Sequence, residues 1–516
     1  MSHSELPQGI ISPMDEYNQT LINYVHPPQW INPQPAQNYD LVVIGAGVAG
    51  LVVAAGAAGL GIGLKVALIE KNLMGGDCLN FGCIPSKSMI RSSRVMGEIW
   101  KGKNLGIHVS PEQIQVDFAA IMARMRKIRA NISHHDSAQR FQNLGVDVFL
   151  GNGHFASDNT IEVDDKIIPF KKAVIATGAR AAKPLISGIE EVGYLTNETV
   201  FSLTECPRRL AVIGGGPIGC ELAQTFRRLG CEVILFHRGS HLLNKEDSDG
   251  AEIVQNVFTR EGIRVVLNAQ LQRVEKNLSG KIIHFISNSI EDSLIVDEIL
   301  VGTGRSPNVE GLNLEICGVE YDLHHGVKVN DYLQTSNPQI YAAGDICMDW
   351  KFTHAADAAA RIIIKNTLFS PLGLGRHKLS DLVMPWVTYT DPEIAHVGMY
   401  EAHAKEKGIN VNTIKIPFSN VDRAITDGEE EGFVKILHRQ GSDEILGATI
   451  VAPHAGEMIS EITTAIVGKI GLSKLSGVIH SYPTQAEGIK KAADAYRRTL
   501  LTPTSQKLLK LLTKFS

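Results

Sequence analysis

The sequence predicts an α/β fold built on two Rossmann-like nucleotide-binding domains. Two glycine-rich turns, each set between an apolar strand and a small-residue helix, carry that prediction. In the first, Leu41-Val42-Val43-Ile44 feeds Gly45-Ala46-Gly47-Val48-Ala49-Gly50. Gly45 permits the tight turn, Gly47 lets the backbone approach a pyrophosphate, and Gly50 lets helix and strand pack closely. The helix N-terminus then faces the phosphates with free N–H groups. A following strand, Lys65 to Glu70, ends in an acid placed to bind a ribose hydroxyl. In the second, Arg209 to Ile213 feeds Gly214-Gly215-Gly216-Pro217-Ile218-Gly219. Its next strand, Glu232 to Phe236, is followed by His237 and Arg238 rather than by an acid. A carboxylate there would favour NAD and repel a 2′-phosphate. His237 and Arg238 suit that phosphate, so NADPH is expected over NADH.

A length of 516 residues allows two to four domains. The formal net charge of −5 gives no reason to expect a nucleic-acid partner. Seven cysteines form no secreted disulfide framework, which points to a reducing, cytoplasmic setting. Leu41 to Leu64 carries no charged residue and is long enough to span a bilayer. Its glycines fit a buried strand, a turn and a packed helix better. No Lys or Arg precedes it, so neither a signal nor a transit peptide is expected.

Just beyond the first unit lies Gly75-Gly76-Asp77-Cys78-Leu79-Asn80-Phe81-Gly82-Cys83-Ile84-Pro85-Ser86-Lys87. Thiols at this spacing can close a disulfide across one turn of helix. Held beside a flavin, such a bond takes two electrons and passes them on by thiolate exchange. A buried pair of reduced cysteines is the plainer alternative, and the neighbouring motifs argue against it. Cys220 and Cys231 fall on the helix and strand of the second unit and are expected in the core.

From about Tyr39 to Tyr496 the chain resembles the class I pyridine nucleotide-disulfide oxidoreductases, which include glutathione reductase, dihydrolipoamide dehydrogenase and mercuric reductase. Ala176-Thr177-Gly178 resembles the family's crossing out of the flavin domain, and Val301 to Arg305, with Gly304, the crossing back. Gln339 to Asp345 resembles the second flavin motif, whose Asp345 would bind the ribityl chain. Gly151 to Phe155, with Gly153, resembles a loop near the flavin adenine. Thr388 to Glu393 resembles the opening of a dimerisation domain. The resemblance implies FAD, a homodimer and a C-terminal α+β dimerisation domain. The implied order is an N-terminal arm (1–38), an FAD-binding part (39–190), an NADP-binding domain (191–310), a second FAD-binding part (311–380), the dimerisation domain (381–496) and a basic tail (497–516).

The same resemblance implies a relay from NADPH through FAD to the Cys78–Cys83 pair. Cys83 would be the thiolate nearer the flavin and Cys78 the thiol that meets the substrate. Lys87 resembles a lysine beside the flavin's reactive nitrogen, paired with Glu221, where a cation stabilises the anionic reduced flavin. One position departs from the disulfide-reducing relatives. They carry a histidine before a proline, oriented by a glutamate five residues later. Here Glu487 is present, but Tyr482 stands in the histidine's place. A histidine near pKa 6.5 exchanges protons at neutral pH, whereas a phenol near 10 stays protonated. His480 is a weak substitute. Glutathione and lipoamide are therefore poorly served.

Mercuric reductases resemble this chain in having tyrosine there. Reducing a soft metal ion needs thiolates and two electrons, not a base. The expected substrate is Hg(II), held between Cys78 and Cys83 with Tyr482 of the partner subunit beside it. Two further departures are the lack of any cysteine after Cys347, where mercuric reductases carry a terminal pair, and of an N-terminal metal-binding domain. The rival readings are a disulfide reductase, a broad quinone or metal reductase, and a redox-sensing binding protein.

The first 38 residues hold six prolines and no Lys or Arg, and are expected as an extended or disordered arm. Tyr17, Tyr24 and Trp30 would anchor it along the body. Pro503 can open a helix after Thr502. It would gather Leu508, Leu509, Leu511, Leu512 and Phe515 on one face, with Lys507, Lys510 and Lys514 beside them. Packing on the dimer is favoured over a membrane surface for this helix.

Overall fold

The computed structural model describes residues 11–110 and 113–514. Strands β1 (Leu41–Ile44), β2 (Val66–Glu70), β3 (Val146–Leu150) and β4 (Ala173–Ile175) form a parallel sheet, completed by the late strand Ile340–Ala342. The spatial order is Ile340–Ala342, β4, β1, β2, β3. A second parallel sheet holds β5 (Arg209–Ile213), β6 (Glu232–Phe236), β7 (Arg264–Val266) and β8 (Glu298–Val301) in the order β7-β6-β5-β8. The first strand of each sheet is buried along nearly its whole length, as a parallel sheet covered on both faces requires. The uncharged run from Leu41 is β1, a turn and the helix Val48–Ala58. No helix among the described residues is long and apolar enough to cross a membrane.

Between the two sheets the chain crosses twice, and the crossings pair with each other. Ala179–Ala181 and Arg305–Pro307 run antiparallel, Arg305 opposite Ala181. Beyond them Ala182 N–H donates to Gly304 O at 3.0 Å. Thr177 Oγ1 donates to Asn308 O at 3.0 Å, and Asn308 Nδ2 returns a bond to Thr177 O at 2.8 Å. The last unit is a five-stranded antiparallel sheet: Pro385–Thr388, Glu393–Gly398, Ile445–Ala452, Phe433–Arg439 and Val411–Pro417 in spatial order. Helices Ala455–Val467 and Glu487–Thr499 bury their apolar faces with this sheet in one cluster.

The N-terminal segment corrects the expectation of an extended arm. Residues Glu16–Val25 form helix α1, capped where Asp15 accepts from the Asn18 N–H at 2.9 Å. Its prolines flank the helix, so they do not break it. Leu21, Ile22 and Val25 are buried in the same core as β1. Beyond α1, Trp30 Nε1 donates to Val148 O at 3.1 Å, and Asn32 exchanges two hydrogen bonds with Leu150. The arm thus covers β3, an edge strand whose backbone would otherwise be open.

At the other end, Pro503–Leu512 is helical, with Thr502 as its N-cap and no residue buried. Leu508, Leu509, Leu511 and Leu512 stay exposed within the protomer. Phe515 lies outside the described residues.

The glycines of the two turns are sterically fixed. A Cβ on Gly50 would lie 1.8 Å from Gly45 O, and one on Gly219 the same distance from Gly214 O. Gly50→Ala should therefore destabilise the fold by about 3 kcal/mol, the upper range for overpacking. Urea unfolding of the purified holoprotein measures this.

Candidate active site

Cys78 lies in helix α2 (Gly76–Asn80), and Cys83 is the first residue of helix α3 (Cys83–Gly102). The thiols therefore face each other across a break between two helices, which corrects the expectation of a single helical turn. The break is built at Gly82, where a Cβ would stand 2.9 Å from Asp77 O. Both cysteines are free thiols and partly buried.

The two thiols have opposite electrostatics. Cys83 is lowered to about 6, first by the hydrogen bond from Cys78, then by Thr353 and the Lys87 cation, against the opposing effect of burial. Cys78 is pushed up, first by its bond to Cys83 and then by burial. The surroundings thus favour ionisation at Cys83 over Cys78. Thr353 Oγ1 lies 3.4 Å from Cys83 Sγ. Sequence reasoning missed Thr353, which stands 270 residues away with no motif of its own.

Lys87, one turn along α3 from Cys83, places Nζ 2.9 Å from Glu221 Oε2. Burial works to lower its pKa, but Glu221, Cys83 and Tyr389 outweigh it, so the ammonium is held charged. Glu221 sits in helix Pro217–Arg228, and its other oxygen accepts from the Tyr389 N–H at 2.9 Å. The Tyr389 ring lies 4.5 Å from Lys87 Nζ, a cation–π contact that sequence reasoning also missed.

The turns meant for nucleotides have the shape of phosphate cradles. Gly45 has φ +101° and Gly214 φ +117°, values that favour glycine. Helices Val48–Ala58 and Pro217–Arg228 begin at Gly47 and Gly216 with no side-chain cap. A Cβ on Gly216 would meet nothing within 4 Å, and one on Gly47 only Gly76 Cα at 3.9 Å. Open space over uncapped helix N-termini fits a pyrophosphate at each turn. Glu70 ends β2 and accepts from the N–H groups of Ala46 at 2.7 Å and Asn72 at 2.8 Å. Burial raises its pKa against those two bonds. A cavity of about 330 Å³, lined by Lys71, Arg180, Asn308 and Glu310, opens beside this strand end.

Gly153 packs its backbone on β2, where a Cβ would stand 2.8 Å from Ile69 Cγ2. Gly178 (φ +66°) and Gly304 (φ +142°) flank the paired crossing strands. Asp345 follows Ile340–Ala342, with its Oδ2 3.2 Å from Arg305 Nε. Burial raises the Asp345 carboxyl while Arg305 opposes that effect. Arg305 also pairs with Asp77, the neighbour of Cys78.

The second strand end divides the two residues expected to meet a 2′-phosphate. Arg238 is exposed. His237 instead turns inward, and its Nδ1 accepts from the Gly215 N–H at 3.2 Å. It is buried, and burial first, then His241 and Arg238, lowers its pKa, so the ring is neutral. Its role here is to brace the glycine turn, which corrects the expectation of a phosphate ligand.

Tyr482 is 70% exposed and donates to Asp422 Oδ2 at 3.0 Å. That hydrogen bond is the first cause raising its pKa above the phenol value, which leaves it a still poorer base. Both ring nitrogens of His480 are already engaged, Nδ1 with Val478 O at 3.2 Å and Nε2 with Glu461 Oε1 at 2.8 Å, which leaves neither free for a substrate in this arrangement. Glu487 begins helix Glu487–Thr499, with one oxygen 3.5 Å from Lys491 and the other buried without a hydrogen-bond partner. Cys220 and Cys231 are fully buried.

Two nucleotide cradles, a polarised dithiol between them and an antiparallel C-terminal sheet define a flavin-linked dithiol oxidoreductase. The chain belongs to the pyridine nucleotide-disulphide oxidoreductases: the family model matches residues 39–360, and that of the family's dimerisation domain matches 384–493. Members use FAD and NAD(P)H, and the dimerisation domain supports a homodimer. A mercuric reductase of Staphylococcus aureus is 36% identical over 89% of this chain and 84% of its own. A dihydrolipoyl dehydrogenase of Chlamydia muridarum is 34% identical over 87% and 95%. Among solved structures, LpdA of Mycobacterium tuberculosis superposes with a TM-score of 0.80 at 26% identity, covering 90% of this chain and all of that one. The Cu(II) complex of RclA, an HOCl-induced flavoprotein disulfide reductase of Escherichia coli, gives 0.78 at 26%, covering 89% and all of its chain.

Because Cys83 is an acid with a depressed pKa, its thiolate is present above pH about 6 and lost below it. Thr353→Val should move that midpoint up by about one to two pH units, the worth of a hydrogen bond to a charged group. Thiolate absorbance of the reduced protein against pH reads the shift.

Proposed function

We propose that this chain is an NADPH- and FAD-dependent reductase that delivers two electrons through Cys78 and Cys83 to a soft metal ion, Hg(II) foremost. Tyr482 carries the reading. A hydrogen-bonded phenol stands where a disulfide reductase needs a proton-exchanging histidine. The mercuric reductase relatives support the same reading.

In this reading residues 39–190 and 311–380 bind FAD, 191–310 bind NADPH and 381–496 dimerise, with the arm (1–38) and tail (497–516) outside them. Bound FAD supplies the two-electron carrier between NADPH and the thiols. Gly45, Gly47, Gly50, Glu70, Gly153, Thr177, Gly178 and Asp345 shape its site, and Gly304 closes the crossing strands. Gly214, Gly216 and Gly219 shape the NADPH turn, and Arg238 offers the 2′-phosphate its cation. Lys87, held by Glu221, keeps positive charge beside Cys83. Cys78 meets the metal first and gives up its proton as the sulfur–metal bond forms. Cys83 supplies the second soft ligand. The bound Hg(II) takes the two electrons of the Cys78–Cys83 dithiolate and leaves as Hg(0), and the disulfide so formed would be reopened by electrons that NADPH passes through FAD. Tyr482 and Glu487 line the approach from the partner subunit. A broader metal-ion reductase is the second reading, favoured by the Cu(II) complex of the similar RclA.

Anaerobic NADPH consumption by the purified holoprotein tests the reading, with Hg(II) plus excess small thiol set against oxidised glutathione and lipoamide. Mercury-dependent turnover that Cys83→Ser abolishes is the expected result. Turnover of glutathione or lipoamide at a comparable rate would overturn it. Arg238→Ala should raise the KM for NADPH about tenfold, the worth of one charge-assisted bond, and leave that for NADH unchanged.

A further inference from the structure

We infer that the N-terminal segment ahead of residue 39 is a working part of the redox centre, in which Asn18 and Arg129 are positioning residues for the loop that carries Cys78. The matched family domain begins at residue 39, so this part is additional to it. The inference rests on the reading of Cys78 and Cys83 as the working redox pair.

Arg129, on helix Phe118–Ser133, is 2% exposed. Among the described residues no carboxylate lies within ion-pair distance of it. Its two hydrogen bonds point opposite ways. Nη2 donates to Asn18 Oδ1 on α1 at 2.6 Å, and Nη1 donates to Asn80 O at 2.7 Å. Asn80 is the last residue of α2, two beyond Cys78 and three before Cys83. Carbonyls at a helix end lack an intrahelical donor, and Arg129 supplies one here. Asn80 Nδ2 then donates to Met74 O at 3.1 Å and Gly76 O at 2.9 Å, closing the turn that precedes Cys78.

The arm grips the same loop by two more contacts. Met74 N–H donates to Val25 O at 3.1 Å, and the His26 ring bonds Asn72 O. Asp15 fixes α1 from the far side, with Arg126 Nε at 2.5 Å. Residues 72, 74 and 80 are thus all held by, or through, a segment that precedes the flavin domain. Burying a guanidinium without a carboxylate is unfavourable, and burial, then Arg126, lowers its pKa to about 10. Such a group is better spent on geometry than on stability. Sulfur exchange and metal capture depend on the spacing of two thiols, and a displacement of about 1 Å is enough to cost a hundredfold in rate.

The test uses the full-length holoprotein with Arg129→Met, Arg129→Lys and Asn18→Ala. Two rates are read in each: iodoacetamide alkylation of Cys78 in the reduced protein, and flavin bleaching by NADPH in a stopped flow. Arg129→Met should change the alkylation rate at least threefold and leave bleaching within twofold. Asn18→Ala should shift alkylation in the same direction by less, and Arg129→Lys should restore part of it. Unchanged alkylation in the folded variants, with only a lower melting temperature, would overturn the inference and leave the arm a structural brace. Equal loss of both rates would overturn it too, as global damage. If Arg129→Met does not fold, Asn18→Ala decides alone. Should Cys78→Ser keep full turnover, the redox reading fails instead, and the alkylation result separates the two.

Discussion

One carboxylate holds the three parts of this protein in register. Glu221 rises from the second glycine-turn unit, binds Lys87 on the helix that Cys83 begins with one oxygen and accepts the Tyr389 N–H of the C-terminal unit with the other. It is 6% exposed, so both bonds lie where water competes poorly. Removing it would strand a cation that burial already disfavours and free the strand end at Tyr389. The Cys83 thiolate feels both partners of this ion pair, Lys87 stabilising it and Glu221 opposing it. The dithiol's polarity is therefore a property of the domain assembly as well as of the motif around it.

Strand-turn-helix units are legible in the sequence because their constraints are local. Gly45, Gly50, Gly214 and Gly219 are demanded by contacts within a few residues or by a positive φ, and an apolar strand beside them has one sensible reading. The cysteine motif is local too, yet its geometry was only half readable. Gly82 breaks the helix between the thiols, and nothing in the spacing alone distinguishes that break from one continuous turn. His237 shows the limit in another way. A histidine after a strand looks available to a ligand until the inward rotamer that meets Gly215 is seen.

What the sequence concealed is mostly long-range. Thr353, Tyr389 and Arg305 reach Cys83 or neighbours of the two cysteines from more than two hundred residues away, on segments whose own patterns serve other packing. The N-terminal arm misled for a compositional reason. Six prolines and the lack of cations suggest a chain that cannot condense alone. It does not condense alone: α1 borrows its core from the first sheet and its counter-charge from Arg126.

The paired crossing strands have a consequence for how such a chain can change over time. Ala182 and Gly304 leave the first sheet side by side, joined by a hydrogen bond of 3.0 Å. The whole second nucleotide unit is thus an insertion whose two ends nearly touch, the arrangement in which modules are most readily exchanged. A lineage could alter that module alone without disturbing the Cys78–Cys83 loop, the first glycine turn or the dimerisation domain.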